Sequence, residues 1–251
     1  MREDSKENSE KLEAGEIDLA SSSKLLGFLD NFWYYHKWKI IIIAFFALVL
    51  IVAVTQIAGK EDNDASVIVA VPETLYAEEL QALESGLVSV MPSDRSGDGK
   101  KTVVLSAYPI YSESEMNAAN EAETDEEGRY IKQVEGSYNS SKMEEYSDYL
   151  LTGECSVLLV SEYLYSNLLN QNRVRPLSEI FGDDLPVGAR SDGFGVNLGE
   201  TKLYEYSEGF ATLPEGTVIC LLRPYVYGAS SDEEKYAFFE EYFKAIVTFG
   251  N

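Results

Sequence analysis

The chain has 251 residues, a formal net charge of −23, a single histidine and two cysteines. About −21 of that charge lies from Lys60 onward, and a field of this sign repels nucleic acid and anionic lipid headgroups, which excludes nucleic-acid binding. The histidine, His36, precedes Lys60. The longer C-terminal part therefore has no Ser-His-Asp or Cys-His catalytic arrangement and no histidine-ligated zinc.

A transmembrane helix is predicted for residues 40–58, whose sequence is IIIIAFFALVLIVAVTQIA. The run carries no charge, and at about 1.5 Å per residue it makes a helix about 28 Å long, which matches the hydrocarbon core of a bilayer. The alternative is a cleaved signal peptide, whose apolar core has about 7–15 residues behind a short basic region. A longer run with 39 residues before it favours an uncleaved signal anchor.

The residues around this run predict its orientation in the cell membrane. Lys24, Lys37 and Lys39 precede it, whereas Lys60 follows it and is succeeded at once by acidic residues. Because Lys and Arg close to a span mark the cytoplasmic side, we expect a cytoplasmic N-terminus and an extracytoplasmic C-terminal bulk. Aromatic rings with polar tips suit the headgroup layer. The predicted membrane-interface residues are Trp33, Tyr34, Tyr35, Lys37, Trp38 and Lys39.

Composition divides the chain into five segments. The polar residues 1–20 predict a disordered cytoplasmic tail, and residues 21–39 predict an amphipathic, aromatic juxtamembrane segment. The predicted span, residues 40–58, is followed by a polar linker, residues 59–65. Residues 66–251 are long enough for one extracytoplasmic domain with a sizeable core.

Buried strands and amphipathic helices alternate along this domain. Short runs rich in β-branched residues predict strands over residues 66–71, 102–107, 156–160 and 217–222. The alternation predicts an α/β fold with a mostly parallel sheet that helices cover on both faces. The acidic residues 112–136 are predicted to be partly helical at best, and residues 182–216 to be irregular, with short strands around 195–198.

Four helices are placed by their caps and apolar stripes. The first helix has an apolar stripe of Tyr76, Leu80, Leu83 and Leu87, and the second runs from Asn139 or Ser140 to Gly153 with an inner face of Met143, Tyr146 and Leu150. The third helix has a cap at Ser161. The fourth has a capping box of Ser231 and Glu234, followed by a stripe of Phe239, Tyr242, Phe243 and Ile246. Cys155 and Cys220 lie in or beside strand runs. Both a disulfide and two buried free thiols are compatible with that position.

The third strand and the segment after it resemble a known type of domain. Gly153–Val160 reads GECSVLLV, and after a helix Arg175–Glu179 reads RPLSE. These residues are similar to the lobes of periplasmic-binding-protein-like (type 2 solute-binding) proteins, and the layout resembles membrane-anchored proteins of Gram-positive anaerobes. The return strand 217–222 and the terminal helix also fit such a lobe. The resemblance implies ligand binding, but residues 182–216 are the only candidate remnant of a second lobe.

A calcium loop is one candidate site. Residues 94–100 read DRSGDGK and resemble the start of a D-x-[DNS]-x-D-G loop. The predicted ligands are Asp94, Ser96, Asp98 and Lys100 (through its carbonyl oxygen). The position of the bidentate glutamate is occupied by Leu105, so an ordinary helix-to-strand turn is the alternative.

A second candidate site is predicted from the sheet itself. In open α/β sheets, ligands bind beyond the carboxyl ends of the strands, and tyrosine can stack on sugars or peptides. The residues predicted to lie there are Glu73, Thr74, Tyr108, Tyr111, Ser161, Glu162 and Tyr163.

These features favour a single-pass membrane protein with a non-catalytic extracytoplasmic domain. The domain is expected to bind a small ligand or an envelope protein, and no cofactor other than calcium is indicated. One alternative is a structural or assembly partner that docks another membrane protein through its span. The other is a carboxylate-based hydrolase, for which no acid pair stands out by spacing.

Overall fold

A computed structural model describes residues 32–52, 63–121 and 134–250. The chain divides into two compact units, Met1–Glu61 and Asp62–Asn251. The predicted tail 1–20, residues 21–31 of the juxtamembrane segment, residues 53–58 of the predicted span and most of the linker lie outside the described residues. The acidic residues 122–133 lie outside them as well.

Helix α1 spans Phe32–Val52 and is the one described helix that is long and apolar enough to cross a membrane. Its 21 residues correspond to about 31 Å of helix. The helix includes the aromatic segment that was expected at the membrane interface, and Trp33, Tyr34, Tyr35 and Trp38 are all exposed on it. A signal sequence or a core helix can meet the same length and composition, so α1 establishes a capacity to span a bilayer.

The second unit is a mixed α/β domain built on one five-stranded sheet. The strands are β1 (Ala65–Val71), β2 (Val103–Pro109), β3 (Val157–Val160), β4 (Gly195–Asn197) and β5 (Val218–Leu221), in the spatial order β2-β1-β3-β5-β4. The α/β class is confirmed at this level. The four strong strands agree with the predicted runs: β1, β3 and β5 are short apolar segments buried along almost their whole length, whereas β2, at the edge of the sheet, is buried only at its two ends.

The sheet is less parallel than predicted. Strand β1 pairs parallel with β2 and with β3, whereas β5 pairs antiparallel with both β3 and β4. Two of the four strand pairs are therefore antiparallel. An apolar strand buried on both faces has the same residue pattern in either direction, so the direction of β5 could not be derived from its composition.

The helices of the domain follow the strands in chain order. They are α2 (Ala77–Val90), α3 (Glu113–Glu121), α4 (Gly136–Thr152), α5 (Glu162–Asn170), α6 (Leu177–Phe181), α7 (Lys202–Tyr206), α8 (Glu208–Ala211) and α9 (Glu233–Val247), with 3₁₀ turns at Leu198–Glu200 and Ala229–Ser231. For the four helices placed from the sequence, α2, α4, α5 and α9, most boundaries lie within three residues of the predicted ones, whereas α7 and α8 lie in the segment 182–216 that was predicted to be irregular.

Side chains alternate between two apolar clusters along the strands. Val67, Val69 and Leu159 belong to one cluster, which includes buried residues of α2, α6, α7, α8 and α9. Ile68, Leu158 and Cys220 belong to the other, which includes buried residues of α4 and α5. Alternation with period two places successive side chains on opposite faces of the sheet, so both clusters are built on the same strands.

Two details of the helix predictions were wrong. Tyr76 is the N-cap of α2 and is exposed, so the buried stripe of that helix begins after it, with Leu83 and Leu87. The N-cap of α9 is Asp232, whose carboxylate accepts hydrogen bonds from the backbone N–H groups of Glu234 and Lys235. An Asp that receives two backbone N–H bonds satisfies more of the helix end than the predicted Ser231 hydroxyl could.

Residues 182–216 do not form a second lobe. Leu198, Leu203, Phe210 and Leu213 of this segment are buried in the same apolar cluster as β1 and α9. The segment thus completes one face of the single sheet, and the described residues contain no cleft between two lobes.

Candidate functional site

The carboxyl edge of the sheet is the edge at which β1, β2 and β3 end. Parallel pairing sets Val71 beside Pro109 and Ala70 beside Val160. The antiparallel β5 begins there, because Val218 pairs with Val160. The loops that leave or enter the sheet at this edge contain most of the predicted ligand-binding residues.

The Glu73 cleft lies at this edge and has a volume of about 190 Å³. Its floor is apolar, and its polar residues are supplied by the loop after β1 and by the first turns of α4. This volume is below the range of about 300–1,000 Å³ typical of drug-sized ligands, so the cleft suits a small molecule. The cleft is lined by Val69, Val71, Glu73, Thr74, Leu75, Leu80, Ala107, Tyr108, Pro109, Tyr138 and Lys142.

Three residues predicted from the sequence come together in this cleft, namely Glu73, Thr74 and Tyr108. Glu73 is exposed, and among the described residues its carboxylate makes no hydrogen bond or ion pair. Burial raises the pKa of the Tyr108 phenol, so that phenol remains protonated and able to donate a hydrogen bond at neutral pH. The cleft therefore offers one unpaired carboxylate and a phenol beside an apolar floor.

Helix α4 is held over the cleft by Asn139. The side-chain amide of Asn139 donates to the carbonyl of Tyr111, and its oxygen accepts from the Tyr111 backbone N–H, both at 2.9 Å. This double contact fixes the first turns of α4 against the chain that leaves β2. Tyr111 was predicted as a ligand residue, and the structure shows that its backbone positions the site.

Lys142 supplies the cation of the cleft. Its ammonium lies 2.7 Å from the Glu145 carboxylate and 5.7 Å from the centre of the Tyr138 ring. The hydrogen bond to Glu145 raises the pKa of Lys142. Neither Lys142 nor Tyr138 was predicted from the sequence. They lie near the start of α4, far along the chain from β1 and β2, so only the packing of α4 brings them to the site.

A second, more open depression lies at the same edge and is centred on Arg190. Its guanidinium contacts Glu162 at 2.9 Å, Asn197 at 2.8 Å and Asp192 at 3.2 Å. Asn197 in turn donates to Glu200 at 2.8 Å. The depression is lined by Glu162, Arg190, Asn197, Gly199, Glu200, Glu215 and Gly216, of which only Glu162 was predicted.

The ring of Tyr165 packs against the side chain of Arg190. The guanidinium lies 5.0 Å from the centre of the Tyr165 ring, and the buried Tyr165 hydroxyl donates to Asp192 at 2.7 Å. The guanidinium is therefore engaged by several partners from this chain. A guanidinium satisfied in this way stabilises the edge, and a ligand would have to displace Glu162 or Asn197 to bind it.

The remaining predicted edge residues have other roles or positions. Ser161 is buried, and its hydroxyl caps α5 by accepting from the Leu164 N–H. Tyr163 is partly exposed on α5 and lines neither of the two depressions. The seven predicted residues thus separate into three in the Glu73 cleft, one in the Arg190 depression and three elsewhere.

The predicted calcium loop is held together by its own side chains. Asp94 accepts from the backbone N–H groups of Gly97 and Gly99, each at 2.7 Å, and from the Ser96 hydroxyl. These bonds, that from Gly99 foremost, lower the pKa of Asp94. Asp98 accepts from the Lys100 N–H. Among the described residues, no three His, Cys, Asp or Glu side chains are grouped to hold a metal ion, and calcium binding stays a prediction.

The two cysteines are free and buried. The Cys155 thiol lies 3.2 Å from the carbonyl oxygen of Val157, and burial raises its pKa to about 12. Burial also raises the pKa of Cys220. A thiol with a raised pKa is a poor nucleophile and metal ligand, so these residues act as small core side chains.

No protein-family model, no curated protein and no solved structure matches this chain. The resemblance to solute-binding lobes therefore stays a prediction, and the case for a function depends on the chain's own geometry.

Proposed function

We propose that the chain is a single-pass membrane protein that presents a non-catalytic, ligand-binding α/β domain outside the cell membrane. The observation that carries the binding role is the Glu73 cleft. It combines an apolar floor, an unpaired carboxylate and a phenol at the carboxyl edge of the sheet, the edge at which open α/β sheets bind ligands.

The membrane role is supported by α1. Its exposed face consists of large apolar side chains, including Ile43, Phe46 and Leu50, which an apolar surrounding would stabilise. Three lysines lie shortly before the predicted span, whereas one lysine, followed by acidic residues, lies after it. This difference supports an N-terminus in the cytoplasm.

The chemistry of the cleft restricts its ligand. An apolar body would lie on Val69, Val71 and Leu80, and a hydrogen-bond donor or a positive group would face Glu73. An acidic group, if present, would face Lys142 in exchange for Glu145. Small amino compounds, short peptides and sugars are thus the classes to test.

The test is a thermal-melt screen of the full chain in detergent against amino acids, sugars, short peptides and calcium. A ligand at 100 times its Kd adds about 2.7 kcal/mol to the free energy of unfolding, which raises Tm by roughly 5–10 °C for a domain of this size. The variant Glu73→Gln should reduce that shift. Glu78→Gln, an exposed change in the first turn of α2 outside the cleft, should leave it intact.

Two results would contradict this proposal. A ligand shift that survives in Glu73→Gln would place binding outside the cleft. A folded chain that responds to no compound, but purifies with a membrane protein through its span, would favour the assembly-partner alternative.

A further inference from the structure

An exposed aromatic loop follows β5 and is a feature that the ligand-binding role does not use. We call residues 224–228, with the sequence PYVYG, the tyrosine loop. Val226 is 76 % exposed and Tyr227 is 67 % exposed, and the rings of Tyr225 and Tyr227 are 5.9 Å apart. Leu151, 53 % exposed in the last turn of α4, lies two residues before Gly153, which the loop contacts.

The backbone of the tyrosine loop is held by close contacts although its side chains are exposed. A Cβ on Gly153 would lie 1.9 Å from the carbonyl oxygen of Tyr227, and a Cβ on Gly228 would lie 2.0 Å from that of Thr152. The Ser230 N–H donates to the Gly153 carbonyl, and the Ser230 hydroxyl accepts from the Tyr225 N–H. These contacts anchor the backbone of the loop to the turn at Gly153.

The loop lies at the amino edge of the sheet, where β1, β2 and β3 begin. Leu221 pairs with Val157, the first residue of β3, and the Leu222 N–H donates to Ser156. Residues after Leu222 consequently extend beyond this edge. Asn63, the first described residue of the domain, precedes β1 at the same edge.

The chain between α1 and the domain is short. Ten residues, 53–62, separate Val52 from Asn63, and a fully extended chain of that length reaches about 35 Å. A domain of this size has a radius of gyration of roughly 16 Å, so the connection is no longer than about one domain diameter. The point of attachment is fixed, because Arg95 donates to the carbonyls of Asn63 and Asp64.

The net charge of the domain favours contact with a neutral surface rather than an anionic one. The Arg173 guanidinium lies 5.4 Å from the centre of the Tyr225 ring, so one cation adjoins the aromatic side chains. The net charge of the domain nevertheless opposes an anionic surface. Tyrosine, with an apolar body and a polar tip, is suited to the headgroup layer.

We propose that the tyrosine loop, with Leu151 and the Arg173 side chain, is a lipid-contact surface that seats the domain on the headgroup layer of the bilayer that α1 crosses. This inference rests on the proposed membrane anchoring but not on ligand binding. The bilayer is the occupant because the loop shares its edge with the tethered end of the domain. An aromatic, apolar surface with an arginine beside it matches the interface between lipid and water.

The test uses the full chain in phosphatidylcholine vesicles. Val226→Cys is labelled with a small fluorophore, and Tyr76→Cys, at the opposite edge and similarly exposed, is the matched site. The wild-type chain, whose two thiols are buried, gives the labelling blank. Vesicle flotation is measured first, followed by quenching from nitroxide lipids.

We expect flotation, and about two-fold or greater quenching of the label at position 226 relative to the label at position 76, because a surface-seated group lies within about 5–10 Å of the acyl boundary. Adding Tyr227→Ser to the Val226→Cys variant should lower the quenching, whereas adding Tyr206→Ser, which changes an exposed tyrosine on α7, should not. Equal quenching at both positions would overturn the lipid contact while leaving the anchor intact. Failure to float would contradict the anchor, and the contact with it.

Discussion

The side-chain amide of Asn139 forms two hydrogen bonds with the backbone of Tyr111, accepting one from the N–H and donating one to the carbonyl, each 2.9 Å long. The bonds link the first turn of α4 to the residues that follow β2. Tyr138 and Lys142, which line the Glu73 cleft, lie in the first two turns of α4. The Asn139 side chain thus holds in place the part of α4 that lines the candidate site.

Replacing Asn139 tests this link. Asn139→Ala should lower the free energy of unfolding by about 1–3 kcal/mol, because it removes two hydrogen bonds to the partly buried backbone of Tyr111. It should also weaken any ligand response by releasing α4. The measurement is urea unfolding combined with the melt screen.

Asn120 provides the matched control. Its amide makes the same two bonds to the backbone of Val134, at 2.8 and 3.3 Å, away from the cleft lining. Asn120→Ala should therefore cost stability without changing a ligand response. If both variants altered the response equally, the link from Asn139 to the cleft would be rejected.

Asp192, which contacts Arg190, makes the free energy of unfolding depend on pH in the acidic range. Burial opposes the charged carboxylate, but hydrogen bonds from the Phe194 N–H, the Tyr165 hydroxyl and Arg190 outweigh it and lower the pKa of Asp192. The folded pKa then lies below the unfolded value of about 3.9. The stability contributed by the charged form is complete above that value and is lost as pH falls through the folded pKa.

Asp192→Asn should accordingly reduce stability at pH 7 and flatten its decline at acid pH. The measurement is urea unfolding from pH 7 to about pH 3, which reaches below the unfolded pKa. Asp183→Asn, an exposed change, should leave the wild-type slope in place. An Asp192 variant with that same slope would show that this carboxylate does not contribute to the pH dependence.

The buried thiols predict a simple labelling result. Cys155 and Cys220 are enclosed in the core, and burial raises the pKa of both. Neither should react with a thiol reagent in the native state at pH 8, and both should react fully in denaturant. Rapid native labelling, or the loss of both reactive thiols in the denatured and unreduced chain, would contradict free, enclosed thiols.

Glycine at position 228 should be hard to replace. Gly228 has φ +73°, and a Cβ there would lie 2.0 Å from a backbone oxygen. Gly228→Ala should lower the free energy of unfolding by about 2–4 kcal/mol, since it adds a clash to a left-handed backbone. Gly99→Ala, at φ +87° in open space, should cost only about 1–2 kcal/mol. Thermal unfolding of the two variants measures the difference, and equal costs would argue against a close approach of Gly153 and Gly228.

The sequence anticipated the strands better than their directions. Residues 66–71 and 217–222 were recognisable because each is a short apolar run, and burial on both faces requires that pattern. Whether β5 runs with or against β3 depends on how residues 182–216 return to the sheet. That path is set by buried side chains such as Phe210 and Leu213, whose packing a local pattern does not encode.

The candidate site was anticipated only where local rules apply. Glu73, Thr74 and Tyr108 could be placed because they lie at strand ends, and the carboxyl ends of parallel strands share an edge. Lys142 and Arg190 were missed because α4 and the 189–193 turn reach that edge from elsewhere in the chain. The available signal for this part of the site was an aromatic and a basic residue four positions apart at the start of a predicted helix, Tyr138 and Lys142.

The position of β1 has a mechanical consequence. This strand follows the short connection from α1, and it lies inside the sheet with β2 on one side and β3 on the other. A pull transmitted through that connection would therefore act on β1 against two neighbours at once, rather than peel an edge strand away one bond at a time. Under the proposed membrane anchoring, the attachment point of the domain is a strand paired on both sides, which is harder to detach than an edge strand.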